Sequence, residues 1–89
     1  MIEQEKLEIW EKEAKEFTND IAQELKNERK KQGVTQTQIE RDLNYSRTWL
    51  SSLENGNYKA STIKMENLYV LSKYLNISII DIINKIDKQ

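Results

Sequence analysis

Gly33 and Gly56 are the only glycines in the chain, and the 22 residues between them read as two short helices joined by a tight turn. Thr35 can cap the first helix, with Gln38 in the position that completes a capping box, and Ile39 and Leu43 lie four apart on its inner face. Asn44 ends that helix, because asparagine tolerates the left-handed backbone of a one-residue bend. Ser46 is the candidate cap of the second helix, Leu50 and Leu53 turn it inward, and Gly56 closes it. Physical chemistry thus specifies a helical hairpin, and nothing yet about what the hairpin binds.

The order Gly33-Val34-Thr35-Gln36, then Ile39, Leu43, Tyr45 and Ser46, then Glu54-Asn55-Gly56 resembles, without a gap, the helix-turn-helix of the Cro and C1 repressor-like (XRE-type) family. The likeness continues less tightly from Met65 to Ile83, so it covers roughly two thirds of the chain and leaves residues 1–20 outside. It implies an all-α, five-helix repressor-like DNA-binding domain, to which the chain adds an N-terminal amphipathic helix or helix extension read from its own apolar spacing. Arg47, Thr48, Ser51 and Ser52 point away from the Leu50 and Leu53 face, and the resemblance makes them base-contacting residues. Arg47 is the most informative, since a guanidinium can bridge O6 and N7 of guanine. Gln36 and Asn55 match family positions that hold phosphates. Lys59 and Lys64 either join them or are ordinary solvated loop lysines. By the same resemblance Arg29 and Glu54 form a buried ion pair. Two residues depart from the pattern: Asn44 replaces the turn glycine, and Glu40 stands where the family has alanine, with a splay outward toward Arg41 or Arg47 as its expected escape.

Composition narrows the alternatives. The chain has no Cys, His or Pro, which removes thiol nucleophiles, imidazole bases, disulfides and the common zinc arrangements, so neither an enzyme nor a cofactor or metal site is expected. No run reaches the length of a membrane span, and the acidic segment after Met1 is unlike a signal peptide, so the expected location is the cytoplasm. The net charge of −1 hides an asymmetry. Residues 1–24 hold eight acidic and three basic groups, a net of −5, whereas residues 25–89 hold seven acidic and eleven basic groups, a net of +4. Between Lys26 and Lys64, eight basic residues face four acidic ones. Phosphate attraction depends on that local field, and a charge so modest calls for a second subunit to bind tightly.

Along the chain, residues 1–20 form an N-terminal amphipathic extension and residues 21–89 the DNA-binding domain with a C-terminal dimerisation helix. Leu7, Trp10, Ala14, Phe17 and Ile21 alternate spacings of three and four on a Glu- and Lys-rich background. Thr18, Asn19 and Asp20 are three consecutive capping residues, Asp20 pairing with Gln23, so a break there is weighed equally with one continuous helix. A helix follows to about Gln32, then the hairpin, a loop from Asn57 to Lys64, and a helix marked by Met65, Leu68, Leu71 and Leu75. Ser78 with Asp81 opens a last helix, on which Ile79, Ile83 and Ile86 share one face while Ile80 and Ile82 diverge. That stripe exceeds what a small core covers, which makes it the expected homodimer contact.

The leading expectation is a dimeric regulator, a repressor of bacterial or phage type, binding a palindromic operator in double-stranded DNA. Two rivals remain: a protein-interaction module in which the hairpin is scaffold and the N-terminal helix binds another regulator, and an antitoxin that binds DNA and a toxin together.

Overall fold

A computed structural model of the chain describes residues 2–58 and 63–87. Five helices follow in order: α1 (Gln4–Lys31), α2 (Gln36–Leu43), α3 (Trp49–Asn55), α4 (Met65–Tyr74) and α5 (Ile79–Asp87). Among the described residues there is no strand, and no helix is long and apolar enough to cross a membrane.

α1 is one unbroken helix of 28 residues. At about 1.5 Å per residue it spans roughly 42 Å, and the molecule's longest dimension is 44 Å. Of the three capping residues in its middle, Thr18 and Asn19 do not break it because their side chains are engaged elsewhere. Thr18 Oγ1 donates back to the Ala14 carbonyl (2.9 Å), and Asn19 Oδ1 accepts from the Tyr58 hydroxyl (2.7 Å). Gln23, the partner expected for Asp20, donates to the Glu54 carbonyl instead (2.7 Å).

Only the second half of α1 enters the core, through Ile21, Ala22 and Leu25. Ile39 of α2, Leu50 and Leu53 of α3, Leu68 and Leu71 of α4, Leu75, and Ile79 and Ile82 of α5 complete that core, with Phe17, Val34, Leu43 and Trp49 packed against it. Met65, expected to point inward, is exposed.

The expectation for α5 is corrected. Ile79 is buried, Ile83 and Ile86 pack against the core, and Ile82 joins them. With 3.6 residues per turn, Ile82 lies within about 60° of Ile79, so all four isoleucines share one broad face. That face is turned to α1 and α4, and at its edge Lys85 pairs with Glu24 of α1 (3.1 Å). The isoleucine left outside is Ile80, at 60% exposure. Ile79 is therefore spent within its own subunit, while Ile83 and Ile86 are half-buried.

The turn between α2 and α3 is set by Asn44, whose backbone is left-handed (φ 58°, ψ 40°). Alanine has no side-chain amide to stabilise this conformation, so Asn44→Ala should cost about 1 kcal/mol, whereas Asn44→Gly should be nearly neutral. Thermal unfolding of the two variants checks this. Equal losses would show that the backbone angle is not what the position requires.

Candidate nucleic-acid interface

The hairpin is built as its capping pattern requires at α2 and differently at α3. The Thr35 hydroxyl accepts from the Gln38 amide (3.1 Å) and starts α2. Ser46 does not cap α3; its carbonyl accepts from the Trp49 amide (3.1 Å), and the chain makes one tight turn before the helix begins at Trp49. Arg47 and Thr48 therefore lie in that turn and not inside the helix.

The cap of α3 comes from Glu40. Its carboxylate turns inward, is only 8% exposed, and Oε2 accepts the Leu50 amide (3.1 Å). An anion at the first turn of a helix satisfies a free donor and opposes the positive end of the helix dipole. The outward splay toward Arg41 or Arg47 is thus corrected, and the Arg47 guanidinium is not spent on Glu40. The substitution at the usual alanine position was the signal for this cap. What the sequence did not supply was the direction of the carboxylate.

Glu54, in the last turn of α3, joins three helices and is 3% exposed. Arg29 of α1 approaches it with two parallel bonds, Nε to Oε2 (2.7 Å) and Nη2 to Oε1 (2.9 Å). The same guanidinium donates to the Val34 carbonyl (2.8 Å), just past Gly33. Gln36, at the start of α2, gives its amide to Glu54 Oε1 (2.8 Å), and Gln23 reaches the Glu54 backbone. A forked pair of this kind fixes orientation as well as distance. Gln23 was not anticipated as a contributor, because nothing local ties it to a residue 31 positions away.

The remaining candidates can now be placed. Arg47 and Thr48 are exposed; Ser51 and Ser52 are half-buried, with Ser51 Oγ donating to the Thr48 carbonyl (3.1 Å). Arg47, Thr48 and Ser51 thus form one short polar segment at the start of α3. Asn55 is exposed at the end of α3, and Lys64 is exposed at the residue before α4. Lys59 lies outside the described residues. Gln36 is partly covered and its amide is already engaged, so any phosphate contact from its side chain must use the second amide hydrogen.

Behind this surface Tyr45 and Trp49 pack ring against ring (centroids 4.3 Å apart, planes at 38°), and Tyr45 donates to the Asn67 carbonyl (3.3 Å). Burial, with Glu66 adding to it, pushes the Tyr45 phenol above its usual range, which keeps that donor protonated. α3 is therefore pinned at its start by Glu40, in its last turn by Glu54 and alongside by an aromatic pair. Its exposed residues sit on a rigid support.

Glu54→Ala leaves Arg29, itself 11% exposed, without its anion, and should cost roughly 3–5 kcal/mol, while replacing both residues by apolar ones should cost less than the single change. A double-mutant cycle by denaturant unfolding checks it; additive losses would contradict the coupling. Glu40→Ala should cost about 0.5–2 kcal/mol, and Glu40→Gln, which keeps an acceptor, less.

Comparison with known proteins agrees with this geometry. No curated protein and no solved structure matches the chain individually. The helix-turn-helix family matches it over residues 25–82, which takes in the second part of α1, the whole hairpin, α4 and the start of α5. The match covers more than half of the chain and includes every member of the Glu54 cluster except Gln23. The chain belongs to the Cro/C1-type (XRE) helix-turn-helix family of DNA-binding regulators.

Proposed function

We propose that the protein is a sequence-specific transcriptional repressor of bacterial or phage type, acting in the cytoplasm as a homodimer on a palindromic operator. The observation that carries this reading is the position of Arg47 and Thr48. Both are exposed in the turn that opens α3, beside a helix held at both ends, so entry of α3 into the major groove brings them to base edges. Ser51, one turn further, offers a short hydroxyl that adapts to several bases. Asn55, exposed at the end of α3, and Lys64, exposed before α4, serve as phosphate contacts that set register without reading sequence. Gln36 adds its free amide hydrogen, and Lys59 belongs to the same group by its charge. Ser52 completes the base-contacting set at its margin.

A homodimer presents two such hairpins. Half-sites about 34–36 Å apart then face the same side of the duplex and mirror the protein's two-fold symmetry. The excess of basic groups between Lys26 and Lys64 supplies attraction to phosphates, and the acidic first part of α1 is expected to stay clear of them. Two modest contributions from linked hairpins reach an affinity that neither reaches alone.

Selection of bound sequences from a random DNA pool tests this, and an inverted repeat is the expected product. An asymmetric site would refute the symmetric dimer, and the absence of any enriched sequence would refute sequence-specific binding. On the selected site Arg47→Ala should lose about 1–3 kcal/mol and relax preference at one base pair per half-site, while Lys64→Ala weakens all sequences alike. Equal losses for Arg47→Ala on selected and random duplexes would remove its base-reading role.

A further inference from the structure

The first half of α1 carries an apolar stripe that the domain leaves uncovered. Leu7, Trp10 and Ala14 continue the helix face that later takes Phe17, Ile21 and Leu25 into the core, yet all three are exposed, Trp10 at 50%. Beside the stripe, and sharing Ala14 with it, lies a groove of about 760 Å³, walled on the α1 side by Ala14, Thr18 and the charged residues between Glu8 and Lys15, and on the other by Tyr58, Ile63, Met65 and Leu68.

We propose that the occupant is a second copy of this chain, its α1 overhang running antiparallel to the first so that the two stripes pair and each N-terminus enters the other's groove. This rests on the homodimeric reading above and assigns its contact surface. Direction follows from the position of the body, which lies on the same side of α1 as the stripe. In a parallel pair the two bodies would claim one space; in an antiparallel pair each body sits beyond the other's N-terminus.

Register follows from length and charge. With Leu7 and Trp10 as the a and d positions of a seven-residue repeat, Lys6 and Glu13 take g positions and Gln4 and Glu11 take e positions. Setting Leu7 against the partner's Trp10 brings Lys6 to the partner's Glu13, twice by symmetry along one flank, and Gln4 to the partner's Glu11 along the other. Sliding one further layer, with Trp10 against the partner's Ala14, sets Glu11 against Glu11 and Glu13 against Glu13, and drives the partner's first turn to the level of Phe17 to Asp20, where the helix meets the core. The first register stops the partner's Ile2, which is exposed in the single chain, at the level of Ala14 and Lys15, two residues that line the groove. A stable pair needs about 1,200 Å² of buried surface, more than three side chains per copy supply, so the groove walls belong to the contact.

Sedimentation equilibrium of the whole chain is the test. The unsubstituted protein should be a dimer, and Trp10→Glu a monomer with an unchanged far-ultraviolet spectrum, since Trp10 lies outside the core. Lys6→Glu should weaken association by about tenfold or more, and Lys6→Glu combined with Glu13→Lys should restore it. Ile80→Asp should leave the dimer intact. A monomeric unsubstituted protein, a dimeric Trp10→Glu, a double variant no better than Lys6→Glu, or a dimer broken by Ile80→Asp overturns the proposal. Failure of the DNA reading is distinguishable: a dimer that responds to these changes as stated but binds no DNA supports the helix pair and refutes the regulator.

Discussion

The carboxylate of Glu54 is the interaction on which the arrangement of the hairpin depends. It takes two bonds from Arg29 and one from Gln36, while its own carbonyl takes a fourth from Gln23, so α1, α2 and α3 meet at one residue. Burying a charge is costly unless it is matched and hydrogen-bonded, and this one is both. The consequence is geometric more than energetic. A short helix such as α3, seven residues long, has little stability of its own and takes its orientation from what holds its ends. Glu54 holds the last turn and Glu40 the first, each by a charged side chain that can be satisfied in one position only.

From this follows the separation between the support and the surface proposed to read DNA. The inner side of α3 is spent on Leu50, Leu53 and Glu54, and Trp49 leans on Tyr45. The residues facing away, Arg47, Thr48 and Ser51, are polar, and none of them belongs to the core. Such a surface can change its residues without disturbing the fold. The same logic explains why Glu40 is tolerated at a close approach of two helices: it replaces a missing cap, Ser46 having been left outside the helix.

Much of the fold is legible in the chain because its stops are encoded locally. Gly33, Asn44 and Gly56 all adopt left-handed backbone, and Thr35 with Gln38, like Ser78 with Asp81, makes the capping bond that the spacing announces. Legibility fails where a polar side chain has a better partner elsewhere. Thr18 and Asn19 carry a strong local signal for a break, but one bonds back along the helix and the other reaches Tyr58, 39 residues away. Ile82 departs from the expectation for a different reason: a helix face in a small core is wider than a single three–four stripe, and α5 buries Ile79 and Ile82 with Ile83 and Ile86 half-buried beside them. Within the candidate site, Arg47 and Thr48 could be picked out from the sequence, whereas their position in a turn could not, since it depends on Glu40 reaching across to the Leu50 amide.

The central claim is that the turn and first residues of α3 meet DNA while the overhang of α1 does not. Backbone amide shift mapping of isotope-labelled protein, titrated with its selected duplex, reads both surfaces at once. The account predicts that signals of Arg47, Thr48, Ser51 and Asn55 move, while those of Leu7, Trp10 and Ile80 stay in place. Movement concentrated on the first half of α1, with the α3 signals unchanged, would contradict it.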